Sequence, residues 1–327
     1  MTGYTGSNGI LLLLASGEAS FFTDPRYTIQ AAAEVDCRIK VSKGPLLPDV
    51  VALAARKKVR RLGFEKSRLS YEHYEFLKSA MPVNSTLMPL GGMVEKLRMI
   101  KSALEIGMIR RSVELNSRAF EAALRTVRPG RTTEAGLAGE IDRQMRKLGA
   151  ERPAFETIVA AAERSALPHA QPSQRLLGKN ELLLIDMGAT LDGYASDMTR
   201  VAFLGRASNR IKRIYEAVLE AQLAGIDAVR PGVTAESVDR RTRQALKPYK
   251  LDKAFIHSTG HGLGLEIHEP PRLGKKEKSR LEEGMAITIE PGVYLEGYGG
   301  IRIEDTVVVT RTGCEVLTPT SKKLREL

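Results

Sequence analysis

The 327 residues of this chain are 43% apolar and 27% charged, ordinary proportions for a globular protein long enough for two domains, and no stretch approaches the roughly 18 apolar residues of a membrane-spanning helix. A net charge of +11 raises the question of nucleic acid. The lysines and arginines are scattered, however, through Arg56-Lys57-Lys58, Arg60-Arg61, Lys275-Lys276 and Lys322-Lys323, with no aromatic residues between them for base stacking, so neither nucleic acid nor a membrane is an expected partner. Cys37 and Cys314 lack metal or redox spacing, and the short apolar run Ile10 to Ala15 has no basic flank before it. A cytoplasmic protein without structural disulfides is therefore expected.

Residues 1–90 alternate short strands and helices. Gly9 to Ala15 and Ala19 to Thr23 read as a hairpin about Ser16-Gly17-Glu18, Thr28 to Glu34 as a helix, Cys37 to Val41 as a strand and Leu47 to Lys57 as a helix. Arg61 to Phe64 is a further strand, and Ser70 to Ser79 a helix opened by a capping serine. The pattern predicts an α/β domain. A linker about Pro89 to Met93, broken at Gly91-Gly92, leads into a second domain, residues 93–327. There Ser102-Ala103-Leu104-Glu105 is a capping box before a long amphipathic helix reaching about Val127, Pro129-Gly130 ends it, and a second helix runs from Thr133 to Leu148. The hexapeptide Val127-Arg128-Pro129-Gly130-Arg131-Thr132 returns 102 residues later as Val229-Arg230-Pro231-Gly232-Val233-Thr234, each copy lying between a long and a shorter helix. This repetition predicts a duplicated half-domain with a site between the halves.

Two acidic hairpins follow. Leu182 to Asp186 and Ala195 to Phe203 flank Leu191-Asp192-Gly193, which places Asp186 and Asp197 about equally far from the turn and roughly opposite each other. Ala286 to Tyr294 and Gly300 to Thr310 flank Gly297-Tyr298-Gly299-Gly300, and Glu290 and Glu304 are equidistant from Gly297 within that turn. Like charges opposite one another destabilise a sheet, and a divalent cation removes that penalty. Three of the five histidines, His257, His261 and His268, lie in one glycine-rich segment between the hairpins, and His169 follows Pro168 in a polar segment. Histidines in such a setting, where backbone can approach a ligand closely, favour a site.

Asp186, Asp197, His261, Glu290 and Glu304, within the strings IDMGATLDGYASDMTR, HSTGHGLGLEIHE, TIEPGVY and GIRIED, resemble the metal ligands of the M24 metallopeptidases, the pita-bread enzymes. Leu167-Pro168-His169, with Ser173 and Arg175, resembles the Xaa-Pro aminopeptidase and prolidase branch. The resemblance implies an α+β pita-bread catalytic domain with internal pseudo-twofold duplication, preceded by an α/β creatinase-like N-terminal domain, residues 1–90, whose motif is Tyr4-Thr5-Gly6-Ser7-Asn8-Gly9 and Thr23-Asp24-Pro25-Arg26-Tyr27. With Met1 at the motif itself, the domain is expected to be truncated, the alternative being a true start upstream. It implies two divalent ions, manganese first, with cobalt, zinc or iron as alternatives. Asp186 and Asp197 would hold one, Asp197, His261 and Glu290 the other, with Glu304 bridging. Glu290 would relay a proton, His268 and His257 would stabilise the oxyanion and bind the scissile carbonyl, His169 would contact the proline side, and Arg302 would orient the carboxylates. The implied activity is an Xaa-Pro aminopeptidase acting on short peptides with proline second, with the Xaa-Pro dipeptidase as alternative. A non-catalytic binding protein on the same fold, or metal-free creatinase-like hydrolysis, fits less well because all five ligand positions are filled. A truncated N-terminal sheet would expose an edge, which predicts a homodimer.

Overall fold

The helix Leu46–Arg56 shows why the first domain forms. In the computed structural model, which describes residues 2–327, the chain divides into two compact units, Met1–Met93 and Val94–Leu327. The first contains β1 (Ile10–Leu13), β2 (Ala19–Thr23), α1 (Thr28–Glu34), β3 (Arg38–Val41), α2 (Leu46–Arg56), β4 (Arg61–Glu65), α3 (Tyr71–Ala80) and β5 (Thr86–Leu90). One side of α2, Leu46, Val50 and Leu53, packs on Leu12 and Phe22 of the β1–β2 hairpin. Its other side, Leu47, Val51 and Ala54, packs on Leu77 and Met81 at the end of α3. Apolar residues at helical spacing on two faces thus bury one helix between strands and helix. The hairpin forms with Ile10 opposite Phe22, β3 joins β2 in parallel, and Ser70 caps α3 by accepting from the His73 amide. The segment read as a linker from Pro89 carries the end of β5, which pairs in parallel with β4.

The second unit takes in α4 (Met93–Met99) from Val94 onward, followed by α5 (Ala103–Leu124), opened by the Ser102–Glu105 capping box, and α6 (Glu134–Lys147). Next come β6 (Arg152–Pro153), β7 (Ile158–Ala161), β8 (Glu181–Met187), β9 (Ala189–Leu191), β10 (Tyr194–Ala195) and β11 (Met198–Leu204). The second half has α7 (Asn209–Asp227), α8 (Ala235–Leu246), β12 (Gly260–Gly262), β13 (Glu269–Leu273), β14 (Ala286–Ile289), β15 (Gly292–Leu295), β16 (Gly299–Arg302) and β17 (Asp305–Val309). β18 (Cys314–Val316) and β19 (Arg325–Glu326) complete the two main sheets, ordered β19-β11-β8-β7 and β13-β12-β14-β17-β18.

The duplication is visible in this order. Each half runs two helices and then three antiparallel strands with the middle one central, β7-β8-β11 and β12-β14-β17. The repeated Pro-Gly turns are also tied alike: the Gly130 amide donates to Leu177 O (2.7 Å) and the Gly232 amide to Leu281 O (2.8 Å), while the first amides of α6 and α8, Glu134 and Ala235, donate to Arg175 O (3.0 Å) and Ser279 O (2.9 Å). The first half buries Phe120, Leu137, Ile141 and Met145 from α5 and α6 against Leu183, Ile185 and Met187 of β8. The second buries Val238 of α8 against Ile287, Ile289 and Val307. Among the described residues no helix is long and apolar enough to cross a membrane.

Candidate metal centre and active site

Asp186 lies near the end of β8, and Asp197 immediately precedes β11. The ladder pairs Asp186 with Thr199, not with Asp197. The cause is the turn. Asp192 and Gly193 both have positive φ (51° and 76°), a two-residue turn of the kind that matches strand twist, and Leu191 already pairs with Tyr194 in β10. A turn centred on these two residues moves the pairing by two relative to one centred on Leu191 and Asp192. Asp197 is therefore a diagonal neighbour of Asp186 on the same face, since side chains alternate along a strand. Gly188 is required beside it, because a Cβ there would lie 2.2 Å from Ser196 O.

The second hairpin keeps the expected pairing. Ile289 pairs with Asp305 and Gly292 with Arg302, so Glu290 and Glu304 stand across from each other at the break between the two ladders. Each strand read as continuous is two pieces, β14 with β15 and β16 with β17, because Pro291 has no amide to give to a ladder.

These carboxylates converge with His261 on β12. His261 Nε2 is 3.5 Å from Asp197 Oδ2 and 3.5 Å from Glu290 Oε1, and ligand atoms of Asp197, His261 and Glu304 all lie within 4.8 Å of one another. Asp197 and Glu304 are buried. Burial, reinforced by the negative neighbours, raises both well above the ordinary carboxylate range, and burial raises Glu290 to about 7. Desolvation lowers His261 and favours its neutral form. Its Nδ1 lies 3.0 Å from Gly262 O, so the proton belongs there and the Nε2 lone pair faces two acidic side chains. Asp186 Oδ1 is buried without a hydrogen-bond partner. A lone pair aimed at carboxylates and an orphaned carboxylate oxygen are costly in a protein interior. Both fit a divalent cation, which accepts this mixed nitrogen and oxygen donor set.

Arg302 organises the cluster from behind. Its Nη2 donates to Asp186 Oδ2 (2.7 Å), its Nε to Thr199 Oγ1 (2.9 Å), and Thr199 in turn donates to Glu304 Oε2 (2.7 Å). Burial alone would lower Arg302, but Tyr294 and the surrounding carboxylates raise it above the ordinary value, so it is a fixed cation. Its Nη1 donates to the Tyr294 hydroxyl (2.6 Å), which lies 2.9 Å from His257 Nε2. His257 Nδ1 lies 2.8 Å from Ser258 O, and burial lowers this imidazole to about 4. Both nitrogens of the neutral ring are thus engaged, and a direct bond from His257 to a scissile carbonyl would require the Tyr294 contact to open. His268 is exposed, with its ring centre 4.4 Å from that of His261. His169 is exposed on the loop after β7, within electrostatic reach of His257, His268 and Glu290.

Tyr294, Thr199 and Thr288 were not singled out from the sequence. Thr288 donates to Glu290 Oε1 (3.2 Å) and accepts from the His261 amide (3.1 Å). A period of two would have found all three: Thr199 is two beyond Asp197, Thr288 two before Glu290, and Tyr294 four beyond it. Gly292 makes room for the tyrosine, since a Cβ there would lie 2.5 Å from its hydroxyl oxygen.

A duplicated α+β fold that closes around buried carboxylates and a neutral histidine defines a metal-dependent hydrolase of the pita-bread class. The chain belongs to metallopeptidase family M24, whose model matches residues 107–311, and residues 1–100 match the creatinase/prolidase N-terminal domain. It is 36% identical over 323 residues to the Xaa-Pro dipeptidase of Pyrococcus furiosus, covering 99% of this chain and 91% of that one. Its structure is similar to that of an Xaa-Pro dipeptidase from Bacillus anthracis (TM-score 0.96, 39% identity, 100% and 91% of the two chains). It is also similar to an X-Pro aminopeptidase from Thermotoga maritima (TM-score 0.93, 35% identity, 100% and 92% of the two chains).

Proposed function

We propose that the protein is an Xaa-Pro dipeptidase, hydrolysing the peptide bond that precedes a C-terminal proline in dipeptides. The observation that carries this reading is the match, along nearly the whole chain, to relatives from Pyrococcus furiosus and Bacillus anthracis that bear that name. It favours the dipeptidase over the aminopeptidase expected from the sequence, and the Thermotoga maritima structure supports the latter as a second reading. Asp186, Asp197, His261, Glu290 and Glu304 are the proposed holders of two divalent ions, manganese first. Such ions, when bound, supply an activated water and polarise the scissile carbonyl.

The remaining work falls to the chain's own groups. Glu290, facing His261 at the centre of the cluster, is the carboxylate proposed to pass a proton from the attacking water to the leaving amine. Arg302 holds Asp186 directly and Glu304 through Thr199, and it keeps His257 oriented through Tyr294. His268, exposed beside His261, is the group placed to donate to a developing oxyanion, and His169 lies at the mouth for the proline side.

Purified enzyme loaded with manganese should cleave Ala-Pro and leave Ala-Pro-Ala intact. Comparable kcat/KM on the two peptides would replace the dipeptidase with the aminopeptidase. His268→Ala should lower turnover by roughly 10²- to 10³-fold, the usual cost of an oxyanion donor, with bound metal unchanged. Loss of metal in that variant would make His268 a ligand.

A further inference from the structure

Glu134 is the first residue of α6 and is completely buried. Its carboxylate accepts from the Ala161 amide (2.9 Å), from Arg164 Nε (3.0 Å to Oε2), and from the Ser173 amide (3.1 Å) and hydroxyl (2.6 Å). Residues 161 and 173 are the two ends of the loop that carries Pro168 and His169, so one carboxylate closes the loop at its neck, as in compact Ω-loops. Arg164 also spans the loop from inside, donating to Gln171 O (2.6 Å). The loop then lies flush on β16: Gly300 N donates to Ser165 Oγ (2.8 Å), and a Cβ on Gly300 would lie 2.2 Å from Ser165 O. Arg302 Nη1 reaches Pro168 O (3.3 Å).

The internal duplication supplies a control. The matching first position of α8 is Ala235, which has no carboxylate, and the acid beside it, Glu236, accepts a single loop amide, from Lys276 (3.2 Å), while remaining half-buried. Full burial and an arginine partner belong to the half whose loop carries a site histidine. A carboxylate buried without partners costs several kcal/mol, so the closed loop is the arrangement that satisfies Glu134, and opening the neck would strand the charge.

We propose that Glu134 is a positioning residue for substrate selection, acting through the neck of the 161–173 loop to hold His169 at the site mouth. The activity arm of its test rests on the dipeptidase reading, whereas the loop arm does not. Glu134→Gln keeps the volume but turns an NH2 group toward donors at one side of the neck. Hydrogen–deuterium exchange of the 161–173 segment should rise in this variant, with bound metal unchanged. The kcat/KM for Ala-Pro should fall roughly tenfold or more, mainly through KM, as expected for misplacing a positioning group. In a His169→Ala background the same substitution should change kcat/KM by less than about twofold, because groups acting through one another are not additive. Arg164→Ala, which cuts the tie from the loop side and leaves the buried carboxylate in place, should reproduce the loop exchange if Glu134→Gln fails to fold. Unchanged exchange in the loop, or fully additive losses in the double variant, would overturn the proposal. A wild-type enzyme inactive on Ala-Pro would instead overturn the dipeptidase reading, and the exchange measurement would still decide the role of Glu134.

Discussion

Replacing Asp197 or His261 by alanine is expected to abolish peptidase activity and reduce bound metal while the fold survives. Both side chains face the centre of the cluster, with His261 Nε2 3.5 Å from Asp197 Oδ2, and neither carries the packing of its half. The cores beside them are built by α5, α6 and β8 and by α8, β14 and β17. Lewis-acid assistance contributes several kcal/mol to a hydrolytic transition state, which corresponds to roughly 10³-fold or more in rate. Turnover on Ala-Pro at saturating manganese, metal content by mass spectrometry and the circular dichroism spectrum together test this. Either variant turning over near the wild-type rate would show that the five-residue set is not the catalytic centre.

The residues of this cluster were legible from the sequence because chemistry and periodicity agreed: acids in pairs on hairpins, a histidine-rich glycine segment between them, and repeated Pro-Gly helix stops. The pairing of Glu290 with Glu304 was legible too, since Gly297 centres a loop whose two ladders share one register. The pairing of Asp186 was not. A hairpin axis read from composition is uncertain by one residue, and moving the axis by one residue moves every pairing by two, which decides whether Asp197 or Thr199 stands opposite Asp186. The breaks after Ile289 and Arg302 were equally hidden, although Pro291 offered a warning. Arg302 was visible as a charge beside Glu304. Its reach to Asp186, Thr199, Tyr294 and Pro168 depends on long-range folding that no local pattern states. The same holds for Glu134, which as a sequence feature is an ordinary acid in the first turn of a helix.

Without metal, Glu290→Gln is expected to be more stable than the wild type at pH 8 and equally stable at pH 4.5, the gap opening between those values. Burial raises Glu290 from the ordinary 4.5 to about 7. Between these values the unfolded chain has released this proton while the folded one keeps it, so stability falls as pH rises. The contribution is fully present below about 4.5 and lost as pH passes through about 7. Asp197 and Glu304 are raised in the same sense and share protons with Glu290 as a group. The histidines work the other way. His257, lowered by burial to about 4 from 6.5, gives stability that appears as pH rises toward 6.5, and His261 and His268 are lowered likewise. The unfolded rings are half charged at about pH 6.5 and neutral, as in the folded state, only about a unit higher. Beyond that the raised carboxylates set the slope, so metal-free wild type should lose stability from about pH 7.5 to about 8. The Glu290 share is on the order of 3 kcal/mol, roughly 10 °C in Tm for a unit of this size. A divalent ion reverses the order, because binding ionised carboxylates releases their protons and makes the folded state more favoured as pH rises. Wild type with manganese should then exceed the glutamine variant at pH 8. Thermal melts of both proteins, chelated and manganese-loaded, across pH 4.5 to 8 test the argument, and a metal-free wild type as stable at pH 8 as the glutamine variant would show that the buried acids are already compensated without an ion.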